Sequence, residues 1–352
     1  MDYVLNGAAS GDVAQRLLSC GWDPRVMRPF IGRDGKSYIT QNKGTEQVSV
    51  PLVGNSTTTL RKDEWIHLDD AVVKAARTRL HLVADLRAAG LTYTIPNGMG
   101  KTVLQTETQS DITDASISMD GLTKSQNDRP LYELTNLPLP ILHKDFQIPL
   151  RQLQESRNGG SPLDTSMAEL AGRKVAEAAE KLAVGVSDTY AFGGGTIYGL
   201  ANYTNALTKT ITAPTASGWT GATLVQELLA MRYQSQAAYH YGPWMIYTSP
   251  SWDAYLDDDY STAKGDNTLR ERIKKIGDFQ DVRTLDYLTD YDIVMVQMTS
   301  DVVREVIGMD ITTVQWDTEG GFLKNFKVMC IMVPQVRMDQ NSRTGIVIGA
   351  VA

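Results

Sequence analysis

The chain has 352 residues, 42% hydrophobic and 21% charged, with 34 basic against 41 acidic side chains and a net charge of -7. That length and balance allow roughly two domains with a buried core and exclude disorder as the default. The acidic excess argues against a protein whose main work is gripping nucleic-acid phosphates, though not against a local basic patch.

No apolar run reaches the ~18 residues needed to span a bilayer, and the start, MDYVLNGAASGDVAQRL, lacks the basic-then-apolar order of a signal peptide. The chain is therefore expected to be made and kept in a cytoplasm, with no membrane contact. In a reducing compartment Cys20 and Cys330, far apart in sequence, are expected as free thiols. Residues 11–30 carry a short helical pattern (Val13, Leu17, Leu18) that breaks at Gly21, Pro24 and Pro29. Tyr38 to Thr59 is a polar tract punctuated by Val48, Val50, Leu52 and Val53. Residues 1–61 thus suit an extended arm lying on a neighbour better than a domain.

One helix is expected over Lys62 to Ala89, because Trp65, Leu68, Val72, Ala75, Ala76, Leu80, Val83 and Leu86 recur at helical steps and Gly90 supplies a stop. From Leu91 to Pro140 the pattern changes to period two or to none. Apolar residues there are too sparse to bury both faces of a sheet, which predicts a long two-stranded excursion stabilised from outside its own domain. A second helix is expected from Ser161 to Tyr190, with Ser161 as cap, Pro162 in the first turn and Asp164 complementing the positive end. Its apolar stripe reads Leu163, Met167, Leu170, Ala171, Val175, Ala178, Leu182 and Val186, and Glu169 to Arg173 and Glu177 to Lys181 are spaced as i,i+4 pairs. Such a helix would run roughly 40 Å.

GGGTIYGL at 193–200 makes a tight link, and residues 201–218 form a connector rich in Thr and Ala. From about Trp219 a helix (Leu224, Leu228, Leu229, Met231, Tyr233), the strand WMIYTSP, the charged helix TLRERIKKI and the strand DIVMVQM suggest a compact α/β layer ending near Val306. The remaining tail holds roughly three β runs, expected to pair beside the long helix.

Chemistry-bearing patterns are weak. GMGKT at 98–102 ends like a phosphate loop, but the required first glycine is Ile95 and a strand follows where a helix is needed, so a turn is expected. Gly193, Gly194 and Gly195 lack the preceding strand of a dinucleotide fingerprint, with Tyr198 where its third glycine belongs. His67, His81, His143 and His240 show no metal spacing, and no GxSxG elbow exists. Asp257, Asp258 and Asp259 lack the alternation of a calcium loop. Arg270, Arg272, Lys274 and Lys275 make a basic helix face flanked by Asp266, Asp278 and Asp281, which favours intersubunit ion pairs over phosphate contact. No catalytic, cofactor-binding or metal residue is assigned, and no cofactor is expected; the pattern reads as a self-assembling structural protein.

The order EWIHLDDAVVKAARTRL, β excursion, DFQIPLRQLQESRNGGSPLDTSMAELAGRKVAEAAEKLAVG and GTIYGLANY resembles the shells of encapsulins and tailed-phage major capsid proteins, which share the Hong Kong 97 phage capsid fold. The stretches SPSWDAYLDDDYSTAKGDNTLRERIKKI and YDIVMVQMTSDVVREVIGMDITTVQWDTEGG are similar to the phage branch. The resemblance implies an α+β fold with an N-terminal arm (1–61), an N-terminal helix (62–90), an E-loop (91–140) and a P domain (141–218) carrying the spine helix (161–190). An A domain (219–306) and returning P-domain strands (307–352) complete it. It further implies hexamers and pentamers closing into an icosahedral head around double-stranded DNA bound without sequence specificity, with portal, scaffold and decoration proteins as further partners. The location implied is the virion, assembled in a bacterial host cytoplasm; an encapsulin-type compartment holding an enzyme cargo is the alternative. Some members crosslink an E-loop lysine to a neighbour, for which Lys101 and Lys124 are the candidates, and some shed an N-terminal segment, which is not expected for a chain beginning at Met1.

Overall fold

The computed structural model describes residues 30–31, 37–43, 46–51, 60, 62–77, 80–110, 117, 119, 129, 131–159, 164–186, 189–260, 267–319, 322–339 and 341–351. The chain gathers into two compact units, each discontinuous in sequence: Met1–Thr102, Leu139–Ala183 and Glu305–Val333 in the first, Val103–Pro138, Val184–Arg304 and Pro334–Ala352 in the second. The short helix expected in 11–30 and the tip of the β excursion, with Lys124, lie outside the described residues.

In the first unit, strands β1 (Phe30–Ile31), β2 (Ser37–Lys43) and β3 (Glu46–Pro51) form an antiparallel set within the segment expected as an arm. Helices α1 (Lys62–Arg77) and α2 (His81–Ala88) follow, where one continuous helix was expected. The periodicity runs through the break, but Leu80 leaves the helical region at φ -93° and ψ 76°. The freed donors at the start of α2 are taken up by a side chain from elsewhere in the fold, described below. Gly90 does stop the helix, at φ +73°.

Strands β4 (Thr92–Thr94), β7 (Leu142–Pro149), β14 (Val303–Thr318) and β15 (Leu323–Val336) form a sheet in the order β4, β14, β15, β7. Phe146 and Phe326 are cross-strand partners whose rings stack at 5.0 Å, and Trp65 of α1 meets Phe326 edge-on at 6.0 Å. Aromatic pairs of this kind add about 0.5–1.5 kcal/mol beyond their buried area. The turn at Gly98–Gly100 packs on this sheet so closely that a Cβ on Gly98 would lie 2.4 Å from the Gly308 carbonyl oxygen. That contact, not phosphate, explains the GMG sequence.

Helix α3 (Leu150–Gly159) leads to α4 (Ser166–Val184), which is shorter than the expected 161–190 helix. Its described start is fixed by Asp164, whose carboxylate accepts the Ser166 N–H at 3.0 Å. Its end is set by Gly185 at φ +92°, a conformation that favours glycine. The buried face keeps Ala171, Val175 and Leu182 of the expected stripe but leaves Met167, Leu170, Ala178 and Val186 exposed. Ala168, Ala171, Val175, Ala176, Ala179 and Ala183 are buried, whereas Met167 and Leu170 are 51% and 44% exposed. Close helix packing selects the small residues: a Cβ on Gly172 would sit 2.9 Å from the Val72 carbonyl oxygen of α1. Arg173 pairs forward with Glu177 at 3.5 Å, and Lys174 joins it at 2.8 Å.

The second unit holds a five-stranded mixed sheet in the order β10 (Leu207–Ile211), β16 (Ile346–Val351), β13 (Ile293–Gln297), β11 (Trp244–Thr248), β12 (Phe279–Thr284). Every residue of β11 and β13 is buried, as continuous apolar strands covered on both faces must be. Helices α5 (Gly221–Ala237), α6 (Asp253–Leu256) and α7 (Leu269–Lys274) belong to this unit, and Leu228, Trp252, Leu256 and Ile273 share its core cluster. Strand β16 corrects the expectation that 307–352 returns as one set of strands. Its sequence IVIGAV is apolar throughout, and it takes a central place between β10 and β13.

Candidate functional site

Strands β5 (Val103–Gln109) and β6 (Tyr132–Pro138) form an isolated antiparallel ribbon in full register from Val103 opposite Pro138 to Gln109 opposite Tyr132. The excursion therefore begins at Val103, because Thr92–Thr94 is held by pairing with β14. Its base is clamped within the second unit by the hairpin of β8 (Tyr190–Phe192) and β9 (Gly195–Ile197): Asn136 Nδ2 donates to the Gly193 carbonyl at 3.0 Å. A Cβ on Gly195 would fall 2.1 Å from the Asn136 carbonyl oxygen, and Gly193 and Gly194 turn at φ +60° and +75°. The triple glycine is thus a hairpin that lets two backbones touch. Farther out the ribbon is bare, with Leu131, Tyr132 and Leu134 each at least 60% exposed. Neighbouring large apolar side chains left in water on a ribbon of two strands mark a surface built to be covered.

Two cations of the charged helix face, Arg270 and Lys274, are ion-paired within the chain. Arg270 Nε donates to Asp257 at 2.8 Å and Arg270 Nη2 to Asp253 at 3.0 Å, while Lys274 reaches Asp281 at 2.6 Å. Asp258 accepts the Asp259 N–H, so the DDD run is partly spent on a guanidinium clamp and its own turn. For Arg270 and Lys274 the acids that answer the charge lie within the chain, because the strand after the helix brings Asp281 back beside it and Asp253 and Asp257 precede it. His67, His81 and His143 are exposed, and His240 is buried with burial holding its imidazole below the ordinary value. Among the described residues no three His, Cys, Asp or Glu side chains gather as a metal set, and no helix is long and apolar enough to cross a membrane.

Periodicity gave no hint of the buried acids in the first unit. Glu180 of α4 accepts the Leu82 N–H at 2.6 Å and the Val83 N–H at 3.4 Å, so its carboxylate caps the start of α2. Arg87 of α2 bridges Glu305 and Asp310 of β14, both at 3.1 Å. Burial pushes the Glu180 carboxyl up to about 7 against the pull of its two N–H donors, and the charges of Glu305 and Asp85 add to the rise. Burial likewise pushes Glu305 up to about 7, opposed by Arg87 and reinforced by Asp310. Cys330 lies buried beside them, and burial pushes its thiol up, away from reactivity.

Residues 55–349 match a protein family described as a family of unknown function, DUF6260. A search of the curated proteins gives no match. Among solved structures, the virus-like particle from Pyrococcus furiosus is similar at a TM-score of 0.56 and 16% identity, covering 80% of this chain and 98% of that one. The capsid of Myoviridae Phage XM1 is similar at 0.55 and 11%, covering 72% and 86%, and the capsid of the native GTA particle at 0.52 and 13%, covering 76% and 89%. Low identity spread over nearly the whole of each partner is the mark of a shared fold, and the mixed helix and strand content agrees with it. The chain has the Hong Kong 97-like α+β fold, and with most of its length matched it belongs to the family of unknown function DUF6260.

Proposed function

We propose that this chain is a structural major capsid protein that assembles as hexamers and pentamers into an icosahedral phage head enclosing double-stranded DNA. The observation that carries this reading is the likeness to capsid and virus-like-particle chains over 86% and 98% of their own lengths. On this reading the β5 and β6 ribbon is the E-loop, α4 the spine of the P domain, and the five-stranded sheet the core of the A domain. The exposed Leu131, Tyr132 and Leu134 would then be covered by a neighbouring copy. A net charge of -7 suits a container, since a cationic lining would hold the genome through the salt-dependent phosphate contribution. Portal and scaffold proteins, and a decoration protein outside, are the further partners of such a shell, with no enzymatic step and no membrane.

The second reading, an encapsulin-type compartment around an enzyme cargo, is favoured by the coverage of nearly the whole virus-like-particle chain. Purified particles decide between them. Nuclease-protected double-stranded DNA inside supports the phage head; a co-purifying cargo enzyme without DNA supports the compartment. A chain that elutes as a monomer at every concentration contradicts both.

A further inference from the structure

Helix α5 differs from the other long helices on its outward side. Opposite the buried Leu224, Val225, Leu228 and Met231, its exposed positions are Ala222, Gln226, Leu229, Tyr233 and Ala237, three and four residues apart along one face and all uncharged. A helix face in contact with water ordinarily carries charge, as α1 does with Asp70 and Lys74 and α4 with Glu169, Lys174 and Lys181. The two charged residues of α5 are both engaged within its own unit. Glu227 accepts from the Thr212 N–H at 2.9 Å and the Thr212 hydroxyl at 2.7 Å, while Arg232 donates to the Gly277 carbonyl at 3.2 Å and to Asp278 at 3.1 Å.

The loop that follows α5 continues the pattern. Tyr239 and Tyr241 are 66% and 64% exposed on either side of the buried His240, and Tyr233 and Leu229 before them are 72% and 41% exposed. Backbone bonds fix the loop: the His240 N–H donates to the Ser235 carbonyl at 3.0 Å, the Gly242 N–H to Gln297 Oε1 at 3.1 Å and the Met298 N–H to the Pro243 carbonyl at 2.9 Å. Tyr239 is held at φ +64°, where residues with a Cβ are uncommon, and the Arg343 guanidinium lies 4.7 Å from its ring centre. A fixed loop that displays aromatic rings loses little freedom when they are covered.

Three tyrosines about two-thirds exposed leave roughly 300–450 Å² of side-chain surface in water, on the scale of about 150–250 Å² for one buried aromatic residue. That is roughly half of the ~800 Å² each partner gives to a stable protein interface, and tyrosine with arginine is the composition such interfaces favour. The uncharged face of α5 offers nothing to nucleic-acid phosphate. A neighbouring copy suits it, because a subunit closed into a ring gives a contact on one surface and receives one on another, and the β5 and β6 ribbon is only one surface. We propose that the outward face of α5 and the Tyr239–Tyr241 loop form a second contact surface between copies of this chain, separate from the ribbon, with Leu229, Tyr233, Tyr239 and Tyr241 as its anchors. This rests on the shell reading above.

The test is nitration of the full chain by tetranitromethane, in purified particles and in subunits dissociated from them, read residue by residue by mass spectrometry. The expected result is that Tyr233, together with Tyr239 or Tyr241, is protected in particles and becomes reactive on dissociation. Any other pattern overturns the proposal; Tyr132 of the ribbon protected while those three react equally in both states would leave the shell reading standing without this surface. A chain that forms no particles overturns the shell reading and the proposal together. Tyr233→Ser combined with Tyr241→Ser is expected to keep the subunit's melting midpoint and lose its particles in a sedimentation profile, and particles at the wild-type yield overturn the proposal. Where that variant does not fold, the wild-type nitration pattern decides.

Discussion

At the scale of single residues, the fold rests on close backbone contacts and on paired buried charges. Gly98→Val places a branched side chain against the Gly308 backbone, 2.4 Å from its oxygen at Cβ alone, and is expected to cost about 1–3 kcal/mol by chemical denaturation. Lys324 is fully buried, with Nζ 2.5 Å from Asp317, so Asp317→Ala strands a cation. Because Asp317 is partly exposed, the loss is expected near about 1–3 kcal/mol, with a midpoint shift in denaturant as the readout; an unchanged midpoint contradicts the pairing. Such contacts were invisible in the sequence. Glu180 carried no signal in the sequence, since a carboxylate bonding to backbone donors about a hundred residues away leaves no local pattern. Gly90 was readable because its role is local.

At the scale of elements, periodicity located the helices and the buried face of α1 and α2, with Trp65, Leu68, Val72, Val83 and Leu86 inside, but only part of the face of α4. Helix α4 carries two apolar rows, and hydrophobicity alone favours the larger one, Met167 and Leu170, while the packing distance to α1 favours alanine and Gly172. Val175→Asp is therefore expected to abolish cooperative unfolding by circular dichroism, because an unpaired charge would be buried. Leu170→Asp is expected to melt within about 0.5 kcal/mol of wild type, being exposed in the subunit. Equal damage from both would mean that α4 is rotated from the face described. The strands WMIYT and IVMVQ were legible as short, bounded apolar runs, whereas the central place of IVIGAV was not, because register between distant strands is set by the sheet as a whole. The ribbon of β5 and β6 was legible through its poverty of apolar residues. Replacing Leu131 and Leu134 with Ser should leave the subunit's melting midpoint unchanged yet lower the yield of particles in a sedimentation profile; undiminished particle yield would show that the ribbon is not an assembly contact.

At the scale of the whole molecule, two discontinuous units interleave along one chain, so neither can be excised as a continuous piece of sequence. This is also why the order of elements carried the fold assignment when pairwise identities of 11% to 16% would not have done so. The order of helix, ribbon, helix and layered sheet survives where individual residues do not. What the fold leaves unmet is the ribbon's exposed apolar surface, which is the physical reason to expect many copies together. Electron microscopy of the purified full chain, negatively stained, tests that most directly. The account predicts closed particles of uniform diameter with icosahedral outlines; a field of single subunits or irregular aggregates at every concentration would contradict it.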